Sequence, residues 1–504
     1  MTQRLRIDVL LLAVVLAAAY IAIDPHTADL AAQTARAEVF RRSGFVPWWI
    51  GWYSGIATAS YSLITPMLLG LFGPLWLSAV AVVATAVIAV PLFRDAARPR
   101  AGAIALVIAA ALNMFSGRTT FGVGAVVALA AVLAVERRSR IWSLLLAPLT
   151  VATSPVAGVL LVVVLAALVI ADPSRRRISA VSGGAALVTL VVLEVLSRGD
   201  GSGYQPFTRT SLVMALATLL VAVLAPVSRR VRWAALLAIA AIIGIYLIHS
   251  PMGSNATRIA VLATAPAVVA SARLSARTFL AIATAAASVL AFAQAYNDLS
   301  AVSSAYMSRA VVAPLEQRLL AEPSIADHRV EVVDPATHWP SAYLLPSVTL
   351  ARGWERQADE SLNPEFYNHQ RLTAASYRKF LNRNAVAYVA VPRGVAIDPG
   401  SVKERSLVEH GLTYLQRVWS DPSWTLWAVR HPTGIVAPPG RVVQATDTGV
   451  EITVPNAGTY PLRLRWTPYL VADDAEVQQA TDGSADLVTD GPGTFLVHTV
   501  WRLP

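Results

Sequence analysis

Long apolar runs fill the greater part of this chain, from residue 7 to about residue 296. Over all 504 residues, 55% are hydrophobic and only 14% are charged, which is too apolar for a soluble protein of this length. The residues from 297 onward have an ordinary soluble composition. The sequence therefore predicts a polytopic α-helical membrane bundle followed by a large soluble region.

The number of membrane spans follows from the lengths of the apolar runs. A spanning helix needs about 20 apolar residues, and shorter helices are tolerated inside a bundle. The two short halves of 141–171 break at Ser154-Pro155 and have basic flanks, which favours a membrane-dipping hairpin. The sequence predicts about 11 spans, at residues 7–24, 74–93, 101–116, 119–135, 141–153, 155–171, 178–197, 211–228, 232–249, 257–273 and 277–296.

Arginines are concentrated in the short loops between apolar runs. Positive charge favours the cytoplasmic side of a plasma membrane, so the N-terminus is expected in the cytoplasm and the C-terminal region outside it. The net charge of +10 follows this loop pattern rather than a basic groove, so nucleic-acid binding is not expected. The clusters are Arg94/Arg98/Arg100, Arg137/Arg138/Arg140, Arg175/Arg176/Arg177, Arg229/Arg230/Arg232 and Arg273/Arg277.

The chain contains no cysteine, which excludes disulfides, thiolate metal sites and cysteine nucleophiles and suits an exported domain. Lys379 and Lys403 are its only lysines. The preference for arginine, together with many alanines and valines, is typical of a GC-rich bacterial genome such as an actinobacterial one.

The loop after the first span combines acids and aromatic residues at a membrane surface. Asp24 and Asp29 come first, and Trp48, Trp49 and Tyr53 precede the second span. This combination suits chemistry on a lipid-borne substrate. Two plainer interpretations stay open: each aspartate is a helix N-cap, or the aromatic residues form an interfacial belt.

Other turns on the same expected face also carry cationic and amide side chains, namely Arg118, Arg209, Asn255 and Arg258. An arginine such as Arg258, about one turn inside its helix, is costly in lipid unless it snorkels to the headgroups or binds an anion. Several such turns together favour an anionic ligand, and lipid phosphate is the expected one.

The loop and the span pattern together resemble the GT-C superfamily of membrane glycosyltransferases. The resemblance is carried by Asp29-Leu-Ala-Ala-Gln33, by Pro47-Trp48-Trp49, by Tyr61-Ser62 with Thr65-Pro66, and by the turn Gly253-Ser-Asn255-Ala-Thr-Arg258. It implies an outer-face transfer of sugar from a polyprenyl-phosphate donor to a cell-envelope glycan or lipid acceptor.

In GT-C enzymes an acid of the first loop acts as general base or positions the acceptor hydroxyl, a role that the resemblance gives to Asp29 or Asp24. Many members carry adjacent acids there, whereas these two are five residues apart.

The same chemistry can be assigned to residues directly. One carboxylate must deprotonate the acceptor while the phosphate leaves, and cationic or amide donors must hold that phosphate. Asp29 suits the first task, and Arg258 with Asn255, or Arg118 with Arg209, suits the second. Trp48, Trp49 and Tyr53 could stack on a sugar or brace the lipid. The sequence predicts no cofactor, and no motif supports a divalent cation.

The sequence predicts three domains: a transmembrane GT-C-like domain at 1–296, an extracytoplasmic α/β domain at 297–410 and an extracytoplasmic β-sandwich-like domain at 411–504. The strand Trp424–Val429 is expected in the sandwich, since alternating apolar residues continue from there to the end of the chain. The alternative function is a non-catalytic one: a transporter or flippase of lipid-linked glycans, or an envelope-assembly scaffold.

Overall fold

A computed structural model describes residues 3–197, 199–271, 305–367 and 371–500. By its internal contacts the chain divides into two units. The bundle unit comprises Met1–Gln33 and Tyr61–Val302, and the tail unit comprises Thr34–Ser60 and Ser303–Pro504. The expected span 277–296, with Arg273 and Arg277, lies outside the described residues.

The bundle unit consists of apolar helices. Four of them, α4, α6, α9 and α11, are long and apolar enough to cross a membrane, and α1 with α2 forms a bent pair that would add a fifth. The shorter apolar helices are α5, α7, α8 and α10. Because several helices are long and apolar enough to span a bilayer, the chain is a multi-pass membrane protein. The helices are α1 (Gln3–Ile23), α2 (Ala28–Ser43), α3 (Thr65–Phe72), α4 (Pro74–Leu92), α5 (Pro99–Phe115), α6 (Thr119–Glu136), α7 (Arg140–Thr153), α8 (Pro155–Ala171), α9 (Arg176–Ser197), α10 (Arg209–Leu224), α11 (Arg229–Leu247) and α12 (Ala265–Ser271).

Nine of the eleven expected spans coincide with α1 and with α4 to α11. The helix ends follow from local chemistry. Helix α8 starts at Pro155, where a missing N–H costs nothing, and the Ser154 hydroxyl accepts a hydrogen bond from the Ala157 N–H. The break expected between the two halves of 141–171 therefore lies at Ser154.

The expected span 257–273 is not one α-helix. A 3₁₀ turn covers Gly253–Thr257, a π-helical turn covers Ala260–Thr264, and α12 follows. Pro266 has no N–H for the carbonyl four residues earlier, so the regular hydrogen-bond ladder is interrupted there. This irregular segment carries Asn255 and Arg258.

The tail unit contains a mixed α/β layer. Its four-stranded sheet has the order β3-β4-β6-β5, with β3 parallel to β4 and the other pairs antiparallel. The strands are β3 (Arg329–Val332), β4 (Val386–Pro392), β5 (Leu415–Ser420) and β6 (Trp424–Val429). The helices are α13 (Arg309–Leu320), α14 (Trp339–Leu344), α15 (Arg356–Leu362), α16 (Ala374–Arg383) and α17 (Val402–Glu409).

The assignment of Trp424–Val429 to the sandwich is wrong. This strand and Leu415–Ser420 form a hairpin that pairs with β4, and so both belong to the α/β sheet. The period-2 pattern that identifies a strand does not say which strand it pairs with, so sequence alone could not make this distinction.

The remaining strands form two antiparallel sheets and one short hairpin. The sheets have the orders β10-β13-β8-β7 and β11-β12-β9, and the hairpin pairs β1 with β2. Val450, Ile452, Leu462 and Leu487 lie in their common buried core. The strands are β1 (Trp48–Trp49), β2 (Ile56–Ala57), β7 (Arg441–Ala445), β8 (Gly449–Val454), β9 (Gly458–Arg465), β10 (Leu470–Ala472), β11 (Glu476–Gln479), β12 (Ser484–Thr489) and β13 (Gly493–Thr499).

Candidate functional site

Asp29 lies in the first turn of α2, on the part of that helix that belongs to the bundle unit. Its Oδ2 accepts a hydrogen bond from Arg118 Nε at 2.7 Å. The Asp29 side chain is 38% exposed and that of Arg118 is 12% exposed. The carboxylate is therefore held in place by an ion pair while part of it remains accessible, which suits a group that must reach a substrate. Asp29 is not the N-cap of α2, since Ala28 already belongs to the helix.

Gln33 lies one helical turn beyond Asp29 and fastens this turn of α2 to the α5–α6 connection. Its Nε2 donates to the carbonyl oxygens of Gly117 at 2.6 Å and Asp29 at 2.7 Å, and its Oε1 accepts from the Thr120 N–H at 2.8 Å. The side chain is buried, so these bonds are shielded from water. The i to i+4 spacing of Gln33 from Asp29 is present in the sequence, but the sequence does not show the partner turn that gives Gln33 this role.

The turn that carries Arg118 is itself tightly built. Gly117 has φ +73°, and a Cβ there would lie 1.9 Å from Thr27 Oγ1, so only glycine fits. Thr27 Oγ1 also donates to the carbonyl of Ser116. The chain before α2 is thus packed against the turn before α6, which brings Asp29 and Arg118 together.

Asp24 has a different environment from Asp29. It is exposed, its φ is +45°, and its backbone N–H donates to the Tyr20 carbonyl at 2.9 Å. These features mark the C-terminal end of α1, so Asp24 is not an N-cap as the plainer interpretation had it.

Arg258 lies between the 3₁₀ turn and the π-helical turn. Its guanidinium carbon is 4.5 Å from the centroid of the Phe121 ring, near the start of α6. A guanidinium over an aromatic face is attracted by the ring, and its N–H donors point outward in its own plane. Asn255 is half-buried in the 3₁₀ turn, and Arg209 is exposed as the first residue of α10.

A cavity of about 990 Å³ lies inside the bundle unit. It is lined along α6 from Thr119 to Glu136, a helix of 18 residues that extends roughly 27 Å at 1.5 Å per residue. Its walls are mostly alanine, leucine and valine side chains from α4, α5, α6, α8, α11 and α12. A long, narrow, apolar cavity of this size suits a hydrocarbon chain.

Both ends of the cavity are polar. One end is lined by Asn113, Thr119 and Arg258. Asn113 Nδ2 donates to the Arg118 carbonyl at 3.1 Å, so this end adjoins the Asp29–Arg118 ion pair. Asn255 and Arg209 are not among the residues that line the cavity. Of the expected phosphate ligands, Arg258 is therefore the one that the cavity contains.

The aromatic residues of the first loop belong to the tail unit. Trp48 is fully buried in the core that contains Val450 and Ile452, and the Arg465 guanidinium carbon is 5.0 Å from its ring centroid. Trp49 packs against Trp52 with 4.4 Å between ring centroids. The hydrophobic cost of exposing rings of this size explains their burial.

Arg36 and Tyr53 connect the same loop to the 353–355 segment of the tail unit. Arg36 forms a buried ion pair with Glu355, and its guanidinium carbon is 5.8 Å from the ring centroid of Trp49. The Tyr53 hydroxyl donates to the Gly353 carbonyl at 2.9 Å, and burial raises the pKa of Tyr53 well above its ordinary value. The side chains of Trp48, Trp49 and Tyr53 are all buried and pack inside the tail unit.

The tail unit also contains a buried charged cluster centred on Arg352. Its guanidinium donates to Glu331 at 2.7 Å, to Glu404 at 2.5 Å and to Asp359 at 3.2 Å. Burial opposes the charge of Arg352, but the three carboxylates raise its pKa well above its ordinary value. Burial raises the pKa of Glu331 strongly and those of Glu404 and Asp359 less. These side chains, which have the types that bind sugars, are paired with each other inside the unit.

The part of the chain that the structure describes contains no group of three or more histidine, aspartate or glutamate side chains able to hold a metal ion. No protein-family model matches the sequence. No curated protein matches it either.

The chain is similar to solved structures of ArnT from Cupriavidus metallidurans. The apo structure is 13% identical, and the match covers 79% of this chain and 93% of ArnT with a TM-score of 0.44. The structure of ArnT bound to undecaprenyl phosphate is 15% identical, and the match covers 84% of this chain and 97% of ArnT with a TM-score of 0.45.

Proposed function

We propose that this protein is a membrane glycosyltransferase that moves a sugar from a polyprenyl-phosphate donor to a cell-envelope glycan or lipid acceptor. The observation that carries the proposal is the apolar cavity of about 990 Å³, with Arg258 and Asn113 at the end that adjoins the Asp29–Arg118 ion pair. The cavity suits the hydrocarbon chain of the donor, and its cationic end suits the phosphate.

The proposed chemistry uses one base and one phosphate-binding group. Asp29 deprotonates the acceptor hydroxyl, and Arg118 and Gln33 hold Asp29 in position. Arg258 stabilises the negative charge that develops on the leaving lipid phosphate. The N-terminus of α6 lies at the same end, so its helix dipole adds positive potential there.

The arginine-rich loops support a cytoplasmic position for the opposite ends of the helices. In that topology Asp29, Arg258 and the tail unit belong to the outer face, where a lipid-linked sugar meets an envelope acceptor. Asp24, Arg209 and Asn255 remain secondary members of the proposed site. They do not line the cavity, and neither does Asp29, but Asp29 is paired with Arg118, whose carbonyl contacts Asn113 at the cavity end.

A second candidate function is the transport of a lipid-linked glycan. The observation that favours it is the length of the cavity, which reaches from Arg258 to Glu136, Arg175 and Arg230 at the other end of α6. A path with polar groups at both ends and an apolar middle is compatible with movement of a lipid from one face to the other.

Proteoliposomes that contain radiolabelled polyprenyl-phosphate sugars distinguish the two functions. A transferase consumes the lipid-linked sugar, and Asp29→Asn abolishes this consumption. Glu38→Gln is the matched control, because Glu38 lies on the same helix in a partly exposed pair with Arg41. If the lipid-linked sugar is translocated but not consumed, and Asp29→Asn does not change this, the protein is a transporter and the transferase proposal is wrong.

The cavity is tested separately by Ala128→Trp, which places a large ring at a cavity-lining position of α6. Polyprenyl phosphate should then bind roughly tenfold more weakly or worse, equivalent to about 1.4 kcal/mol. Val87→Trp, at an exposed position of α4, should leave binding unchanged. Equal affinity in both variants would place the lipid outside this cavity.

A further inference from the structure

Four charged side chains form a closed ring where helices α6, α8, α9 and α11 end or begin. Arg175 contacts Glu136 at 3.0 Å and Asp172 at 2.7 Å. Arg230 contacts the same two acids, at 3.1 Å and 2.5 Å. Each arginine thus bridges both carboxylates, and the ring has two positive and two negative charges. Such a ring is electrically neutral and joins three separate stretches of chain, at residue 136, residues 172–175 and residue 230.

The ring lies at one end of the cavity. Glu136, Arg175 and Arg230 line it there, and the length of α6 separates Glu136 from Thr119 at the other end. The turn Pro226-Val227-Ser228, which precedes α11, also lines the cavity, as do Phe93, Asp95, Ala96 and Ala97 in the connection between α4 and α5. The ring therefore joins the ends of α6, α8, α9 and α11 at the end of the cavity that carries the arginine-rich loops.

The four members of the ring differ in how firmly they are held. The side chain of Asp172 is 8% exposed and that of Arg230 is 39% exposed. Although partial burial raises the pKa of Asp172, hydrogen bonds from Ser174 and Arg175 and the charge of Arg230 lower it to about 2, so this acid is ionised at neutral pH. Arg175 also donates to the backbone carbonyl of Glu136. Arg230 is the most exposed member, and it is the second residue of α11, directly after the turn.

Loss of Arg230 from the ring leaves the other three members paired. Arg175 still contacts Glu136 and Asp172, so neither acid is left without a cation in a poorly hydrated place. Part-exposed ion pairs contribute little net stability, so their separation is energetically accessible. A movement of the start of α11 consequently opens the ring without leaving either acid unpaired.

We propose that the ring of Glu136, Asp172, Arg175 and Arg230 is the closed gate of a second mouth of the cavity, which opens when Arg230 leaves the two acids. The gate controls access from the side of the arginine-rich loops, at the end away from Arg258. This inference concerns access to the cavity and does not depend on the transferase chemistry.

The chain has no cysteine, so accessibility can be measured with single introduced thiols. Val132→Cys places a thiol on the cavity wall one turn from Glu136. A water-soluble, positively charged thiosulfonate is added to the purified full-length protein in nanodiscs, and the labelling rate is recorded. Arg230→Gln, or Glu136→Gln with Asp172→Asn, should raise this rate at least tenfold, whereas Arg176→Gln, beside the ring, should not.

A reference thiol separates gating from general loosening of the bundle. Ala147 in α7 is fully buried and does not line the cavity, so Ala147→Cys should stay slow to label in the ring variants. Two results would overturn the gate: an unchanged labelling rate at position 132, or an equal increase at positions 132 and 147. The Arg230→Gln single variant keeps the proposal testable if the double variant does not fold.

Discussion

The Asp29 carboxylate accepts a hydrogen bond from Arg118 Nε at 2.7 Å, although 89 residues separate the two in the chain. The pair joins the first turn of α2 to the turn that precedes α6, at the cavity end that contains Asn113. The sequence predicts both residues as members of one site, and in the structure their side chains are in direct contact.

Replacement of Arg118 should slow sugar transfer, because Asp29 loses the ion pair that holds its carboxylate. Arg118→Gln removes the charge but leaves a polar side chain, and we expect kcat to fall on the order of 10- to 100-fold because the base loses its fixed orientation. The measurement is sugar transfer in proteoliposomes. Arg41→Gln removes an equal charge from the exposed end of α2 and should leave kcat unchanged. Equal rates in the two variants would contradict a positioning role for Arg118.

Gln33 should act on the rate rather than on substrate binding. Gln33→Ala leaves the Thr120 N–H and the Gly117 carbonyl without their buried partner, which costs about 1–3 kcal/mol per group. We expect a lower kcat with a nearly unchanged KM, since Asp29 loses its support while the cavity is intact. Gln33→Glu keeps the acceptor for Thr120 and should recover part of the rate.

A rise in KM without a change in kcat would show instead that Gln33 shapes the binding site. Thermal unfolding of the same variants serves as the control for folding. Reduced kcat at a temperature at which the variant is still folded separates the positioning role from a general loss of structure.

The tail unit should become less stable as the pH rises. Burial raises the pKa of Glu331 well above its ordinary value, against the opposing charge of Arg352, and Glu404 raises it further. Between the unfolded and folded pKa values the folded unit binds more protons than the unfolded chain. Its unfolding free energy therefore falls as the pH rises through this interval, by about 1.4 kcal/mol per pH unit for each extra proton.

The urea midpoint of the full-length protein in detergent, followed by tryptophan fluorescence at pH 5 to 8, measures this dependence. Glu331→Gln removes the titrating group facing Arg352, Glu404 and Asp359 and should flatten the slope. Glu476→Gln, at an exposed position of β11, is the matched control and should retain it. Identical slopes in the two variants would exclude Glu331 as the source.

Trp48 should be essential for the stability of the tail unit rather than for ligand binding. Trp48→Ala removes a fully buried ring from the core formed with Val450 and Ile452, at a cost of about 3–5 kcal/mol. The readout is the urea midpoint of the full-length protein. Trp142→Ala, at an exposed position of α7, should change the midpoint little. If Trp48→Ala leaves the stability unchanged but weakens sugar binding, Trp48 belongs to the ligand site instead.

The membrane helices could be predicted from the sequence because apolar runs bounded by arginine, proline and glycine carry both the length and the ends of each helix. Nine expected spans coincide with observed helices for this reason. The irregular turns around Arg258 could not be predicted, since they depend on how Pro266 interrupts one hydrogen-bond ladder. The role of Gln33 depends on a partner turn 84 residues away, which no local pattern encodes.

The aromatic loop shows the limit of composition as a guide. Trp48 and Trp49 have the residue types of a membrane belt and of a sugar platform, yet both are buried in the tail unit. The burial of Trp48 and Trp49 depends on contacts between segments far apart in the chain. The pairing of β6 with β4 likewise joins distant segments. Long-range pairing of this kind is the part of a fold that single-sequence patterns specify least.

The buried pair of Arg36 and Glu355 has a consequence for the order in which the protein is made. Its partners are 319 residues apart in the chain. At a synthesis rate of about 5–20 residues per second, Glu355 emerges roughly 16 to 64 seconds after Arg36. During that interval Trp48, Trp49 and Trp52 lack the later residues of the core in which they are buried, so the newly made loop exposes three large aromatic side chains.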